Sequence, residues 1–225
     1  MGNLQLRQDM GEWAAVASAM RVAPGQLRLV RQVHGTAVAI ARSADPAPSA
    51  TPEADVIISD DSSVAIAVRV ADCAPILLAD RRTGVVGAAH AGWRGAARSA
   101  AAEAIHAMHR EFGSRAKDIV AAIGPCLGSC CGEVGGEVVA AFRDAGHSES
   151  ALSRWFAPGP RGRPLLNLWE ANADQLSAAG VSRDSIFVAE LCTKTHAGLM
   201  HSYRASGPET GRMLGVIRVA TSPEP

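Results

Sequence analysis

Apolar residues along this chain fall into two patterns: short Val/Ile/Ala-rich runs and longer stretches with helical spacing. The short runs are Leu27–Val33, Ala37–Ala41, Val56–Ser59, Val64–Val70, Ile76–Ala79, Val85–Ala89, Ile119–Ile123, Ile186–Ala189 and Leu214–Val219. Most are bounded by Gly, Asp or Pro, and their side chains suit a pleated surface, so each predicts a strand. Helical spacing covers Gly95–Phe112, Glu133–Ala145 and Leu168–Ala179, with Gly113, Gly146 and Gly180 as stops and Asn167 as an N-cap. The order is several strands, then helix, strand, helix, helix, strand, strand. It lacks the regular alternation of a doubly wound sheet and predicts an α+β fold, with mixed sheets and outer helices in a single domain over residues 1–225. The Pro/Ser/Ala-rich stretches Ser43–Pro52 and Ala157–Pro164 read as surface loops, and Thr221–Pro225 as a frayed tail.

Composition narrows the class. Hydrophobic residues make up 48% of the 225, which suits a globular enzyme and excludes disorder. Basic and acidic side chains balance at 22 each, so no charge footprint points to nucleic acid or an anionic membrane. The first 21 residues lack the apolar core of a secretory signal. The longest apolar stretch, from Val64 to Ala79, is interrupted by Arg69, Asp72 and Pro75, so no membrane-spanning helix is expected. Five cysteines, an odd count with no sign of an oxidising compartment, read as reduced thiols of a cytoplasmic protein. Nothing in the sequence fixes an oligomeric state.

Candidate chemistry lies where apolar patterns break. Gln32-Val33-His34-Gly35 closes a predicted strand, Ala71-Asp72-Cys73-Ala74-Pro75 interrupts an apolar stretch, and His90-Ala91-Gly92-Trp93-Arg94-Gly95 joins a strand to the Ala-rich helix. His34, Cys73 and His90 together make a catalytic zinc set, since three protein ligands leave a fourth position open. Their separations, 39 and 17 residues, match no compact metal motif. Taken singly, such a His more often bonds backbone and such a Cys more often packs in a core. A second chemistry fits the same residues: Cys73 as nucleophile, His90 as base, and Asp72 or Gln32 orienting the base or stabilising an oxyanion. Both readings need a thiolate beside imidazole, so the residues leave them open. The run Gly124-Pro125-Cys126-Leu127-Gly128 reads as a tight loop before a phosphate cradle. Cys126, Cys130, Cys131 and Cys192 read as small packed residues before a second zinc site. Trp93 reads as a core anchor before a purine-stacking ring, and His106 and His109 as solvent-facing.

The strings QVHG, ADCAPILLAD, AAHAGWRGAA, AAIGPCLGSCCGEVG, LCT and SYR…TGRMLG occur in this order between about residues 25 and 219. They resemble the signature blocks of the YfiH-type family, known as purine nucleoside phosphorylases, laccase-like polyphenol oxidoreductases and peptidoglycan editing factors. The resemblance implies a four-layer αββα sandwich and zinc held by His34, Cys73 and His90. It implies phosphorolysis of purine nucleosides (adenosine, inosine, guanosine, methylthioadenosine) together with adenosine deamination. Within the matching blocks, Arg94 and Arg204 carry guanidinium forks suited to phosphate or a ribose hydroxyl. Gln32 falls beside them as a substrate-binding candidate and Asp72 as a proton shuttle. The alternatives are a cysteine hydrolase or peptidoglycan-precursor editing enzyme acting through Cys73 and His90, a copper polyphenol oxidase, and a non-catalytic metal-binding module. Three departures stand out. The Arg-Gly-Gly-Val-Ser-like opening segment has no counterpart ahead of Asn3-Leu4, which leads to the expectation of a rebuilt pocket wall. Gly132 replaces a tyrosine, and Asn167 replaces an aspartate.

Overall fold

The computed structural model describes residues 10–42, 49–160 and 162–220. Its elements, in chain order, are α1 (Met10–Ala19), β1 (Leu27–Leu29), β2 (Val38–Ala41), β3 (Val56–Ser59), β4 (Ala65–Val70), β5 (Ala74–Asp80), β6 (Val86–Ala91), α2 (Trp93–Ala97), α3 (Ala100–Phe112), β7 (Ile119–Ile123), α4 (Gly136–Asp144), α5 (Glu149–Trp155), β8 (Phe156–Pro158), β9 (Pro164–Leu166), α6 (Leu168–Ala178), β10 (Ile186–Val188), α7 (Tyr203–Ser206) and β11 (Met213–Arg218). A six-stranded mixed sheet runs β10-β7-β5-β6-β3-β2, a three-stranded one runs β1-β4-β11, and β8 and β9 form a hairpin.

Strand periodicity explains the layering. Successive side chains point to opposite faces of a sheet. Ile58, Ile76 and Leu78 face the helices and pack with Ala104, Met108 and Leu176. Their neighbours Ile57, Leu77, Val86 and Ala88 face the smaller sheet and meet Ile66, Val68 and Ile217. A sheet buried on both faces needs apolar residues at nearly every position, which is why these strands read as continuous Val/Ile/Ala runs. Each fully buried Ile or Leu contributes about 1.5–3 kcal/mol. Ala65 and Ala67, on the far face of β4, are also fully buried. Arg218, which pairs with Ala65, donates to the carbonyl oxygens of Met20 and Arg21 just past α1, whose Ala17 is buried. Helix, sheet, sheet and helix thus stack in the αββα order that the family resemblance implies.

The differences from expectation are local. The strand predicted over Leu27–Val33 ends at Leu29: Arg31 leaves β4 to pair with the 52–54 segment, its N–H donating to the Pro52 carbonyl and its carbonyl accepting from Ala54 N–H, and only then do the N–H groups of Val33, His34 and Gly35 turn toward a buried carboxylate. The helix predicted over Gly95–Phe112 is two helices, α2 and α3, separated at Ser99, which holds the left-handed conformation at φ 58°. A hydrophobic pattern passes through such a residue unbroken. The helix predicted from Glu133 begins only at Gly136. Asn167 caps α6 as expected, accepting from the Glu170 N–H at 3.2 Å. Helices α1 and α5 escape the sequence pattern. α5 has seven residues, too few for a period to show, although Ser148 caps it by accepting from Ala151 N–H. The predicted loop Ala157–Pro164 holds the turn of the β8–β9 hairpin. Most of the other predicted loop, residues 43–48, and the tail 221–225 lie outside the described residues. Among the described residues, no helix is long and apolar enough to cross a membrane.

Candidate metal centre

Ladder register assembles the site. In the β5–β6 ladder Ala74 faces Ala91 and Pro75 faces His90, so Cys73 and Gly92 come together just past the paired ends. In the β3–β6 ladder Val56 faces Ala89, which sets Asp55 opposite His90; the His90 N–H reaches the Asp55 carbonyl at 2.8 Å. His34 arrives on the irregular segment that leaves β1. The ligand atoms of His34, Cys73 and His90 all lie within 4.8 Å of one another. The two imidazoles meet edge to face, centroids 4.9 Å apart. Gly92 is required by this approach: a Cβ there would stand 2.6 Å from the Cys73 sulfur.

Asp55 organises the cluster. It is fully buried. Its carboxylate accepts from the consecutive N–H groups of Val33 (3.1 Å), His34 (2.9 Å) and Gly35 (2.7 Å). It also bonds His90 Nδ1 at 2.8 Å. The three N–H groups form a nest around an anion and hold His34 at φ 61°, a left-handed conformation costly for a residue with a Cβ. The bond to Nδ1 leaves Nε2 as the His90 nitrogen for a metal, the carboxylate–histidine arrangement that supports metal ligands. Burial raises the Asp55 pKa, but the bond from His90 and those from the backbone outweigh it and leave the carboxyl below its ordinary value. Burial pushes the Cys73 thiol up, yet hydrogen bonds and charge from His34 and His90 bring it down to about 6. Burial pulls His90 down, and its bonds to Asp55 and Cys73 lift it to about 9. Without metal, the sulfur and ring therefore rest as a thiolate–imidazolium pair. Two imidazoles, one thiolate and a glycine that clears space beside the sulfur fit a transition-metal ion.

The remaining sequence candidates fall around this centre in different roles. Asp72, at φ 83°, fastens loops: it accepts from the Thr193 hydroxyl and the Arg204 N–H, each at 2.5 Å, while its carbonyl takes the Leu127 N–H. Gln32 pairs with the backbone of Arg69, donating to its carbonyl and accepting from its N–H, both at 2.8 Å. Arg94 and Arg204 line a cleft of about 720 Å³ together with Trp93, Arg163, Lys194 and Glu137. The Arg94 guanidinium lies 4.2 Å over the Trp93 ring, and Trp93 also packs against the core. Arg204 Nη1 donates to the carbonyls of Cys131 and Glu133. Trp93 and Arg94 directly follow Gly92, and the Arg204 backbone is bound to Asp72, the neighbour of Cys73, so part of the cleft wall is built by residues tied to the candidate ligands. The Gly124–Gly128 turn is a tight loop: the N–H groups of Gly124, Cys126 and Leu127 go to carbonyls of Pro75, Leu191 and Asp72. Gly132 abuts the Leu166 carbonyl, where a Cβ would come within 2.4 Å. His106 and His109 are exposed.

Asp55 was not among the residues singled out from the sequence. Its only signal there is a lone acid ahead of Val56-Ile57-Ile58, which looks like any strand boundary.

Comparisons place the chain among known proteins. The profile of a family described as multi-copper polyphenol oxidoreductase laccase matches residues 10–220. A protein of Geobacillus stearothermophilus named purine nucleoside phosphorylase YlmD is 36% identical over 217 residues, covering 94% of this chain and 76% of that protein. A protein from an unknown prokaryote named adenosine deaminase RL5 is 33% identical over 200 residues, covering 85% of this chain and 75% of its own length. The crystal structure of YlmD from Geobacillus stearothermophilus superposes with a TM-score of 0.87 at 32% identity, covering 98% of this chain and 84% of that one.

Proposed function

The chain belongs to this polyphenol oxidoreductase laccase family, and from that premise we propose that it is a zinc-dependent purine nucleoside phosphorylase with adenosine deaminase activity. The observation that carries the reading is the convergence of His34, Cys73 and His90, with Arg94, Arg163, Lys194 and Arg204 on a cleft whose wall includes Trp93, one residue past Gly92. The names of its relatives support the reaction class. Two imidazoles and one thiolate with an open position are the ligand pattern of catalytic zinc. Zinc bound there would supply Lewis acidity to an oxygen ligand. The protein's own groups do the rest. Asp55 holds the His90 tautomer through Nδ1 and fixes the His34 backbone. Arg94 and Arg204, with Lys194 nearby, bind phosphate and hold it against the ribose, so catalysis rests on positioning and electrostatics. A cleft of about 720 Å³ suits a nucleoside with phosphate. Asp72 acts as a positioning residue that ties the Thr193 and Arg204 loops to the Cys73 turn. The five unpaired cysteines suit the reducing cytoplasm.

The test is product analysis with inosine and adenosine, with and without phosphate. We expect hypoxanthine and ribose-1-phosphate from inosine only when phosphate is present, and some inosine from adenosine. Base release that ignores phosphate would overturn phosphorolysis. Activity that survives chelation and dies with iodoacetamide would replace the zinc reading by a Cys73 hydrolase. Because His₂Cys is also a copper set and the family's description names copper, oxygen uptake that scales with added copper would establish the oxidase instead.

A further inference from the structure

A second cluster of soft ligands lies on the wall of the cleft. The turn at 126–128 and the segment after β10 are zipped together: Cys126 N–H donates to the Leu191 carbonyl and Thr193 N–H to the Cys126 carbonyl. This sets Cys192 beneath Cys130 and Cys131, and the three sulfurs lie within 4.8 Å of one another. Gly128 permits the approach, since a Cβ there would press to 3.1 Å from the Cys192 Cβ and into the Trp169 ring. The Cys130 and Cys131 sulfurs are 3.8 Å apart. Thiolates about 2.3 Å from one tetrahedral ion sit about 3.8 Å from each other, so the spacing already suits a shared metal.

Two further features separate this cluster from cysteines merely packed as small residues. Exposure is graded, from buried Cys192 through half-buried Cys131 to exposed Cys130, which gives an ion an entry path. Lys194 follows Cys192 by two positions, and the Arg204 guanidinium bonds the Cys131 carbonyl, so positive charge offsets the gathering of thiolates.

We propose that Cys130, Cys131 and Cys192 form a second metal site, an all-thiolate one for a soft d¹⁰ cation, copper(I) or zinc. Sulfur ligands alone select soft ions over magnesium, calcium or manganese. Binding forms three metal–sulfur bonds and releases the thiol protons to solvent. The site shares no ligand with the His34–Cys73–His90 centre and does not depend on the function proposed for it.

The test titrates the reduced, metal-stripped full chain anaerobically with zinc and, separately, with copper(I). Sulfur-to-metal charge-transfer absorbance and metal content after gel filtration are the readouts. In at least one arm the unmodified chain is expected to take two equivalents, and that arm identifies the ion. His90→Ala should keep one, and adding Cys130→Ser with Cys131→Ser should remove it. The serine pair alone should keep the equivalent at the first centre, which also shows that the variant folds. A single equivalent in both arms for the unmodified chain, or a second one that persists in the serine pair, overturns the proposal.

Discussion

Asp55 ties down more of the candidate metal centre than His34, Cys73 or His90 does. Its two oxygens accept four hydrogen bonds, one from His90 and three from the backbone around His34. Asp55→Asn keeps the shape but removes the charge and two acceptor sites on one oxygen. We expect zinc affinity to fall about 10–100-fold, read by competition with a chromophoric chelator, and unfolding free energy to fall by about 1–3 kcal/mol. The thiolate–imidazolium pair makes a separate prediction for metal-free protein. Cys73 lies below its ordinary value, so its contribution is fully present above pH 9 and is lost as pH falls through about 6. His90 lies above its ordinary value, so its contribution is full below about 6.5 and is lost as pH rises through about 9. Between about pH 6.5 and 9 one contribution grows as the other shrinks, so the stability of the metal-free protein from this pair should change little with pH there. Iodoacetamide should react with Cys73 with a midpoint near pH 6, and zinc should protect the sulfur. A midpoint in the ordinary thiol range would show that the imidazoles do not face it.

At the scale of elements, the site is a product of register. Cys73 meets Gly92, and Asp55 meets His90, because β5 and β3 flank β6 in antiparallel ladders. Gly92→Ala would drive a Cβ against the Cys73 sulfur, and we expect it to abolish zinc at the first centre while the chain stays folded, as metal analysis and thermal unfolding would show. Ser99 breaks the Ala-rich helix in a left-handed conformation without a side-chain cap. Ser99→Gly should raise stability by up to about 1 kcal/mol in urea unfolding, since glycine takes that conformation freely. Asn167→Ala should cost about 1 kcal/mol through the lost cap. The sequence reveals most of these elements but not their pairing. His34, Cys73 and His90 were legible because each interrupts an apolar pattern. Asp55 was not, since its meaning lies in the residue across the ladder.

Over the whole molecule, burial of both sheet faces makes the strands conspicuous and their order obscure. Nearly every inner position is apolar, so alternation carries little information about which sheet a strand joins. β4 and β6 read alike in sequence yet lie in different sheets. The α+β class and the outer helices α3 and α6 followed from the sequence pattern, and the αββα order from family resemblance. The helices α1, α5 and α7 and the β8–β9 hairpin carry no local apolar period that would mark them in the sequence. Leu78→Ala, in the layer between the six-stranded sheet and the helices, should cost about 2–5 kcal/mol, seen as a lower urea midpoint with unchanged slope.

The most direct measurement follows zinc content and phosphate-dependent hypoxanthine release on one preparation, through chelation and zinc restoration, beside Cys73→Ala. The account predicts that release falls with the zinc, returns with it, and never appears in the variant. Release that persists in stripped protein or in Cys73→Ala would contradict it.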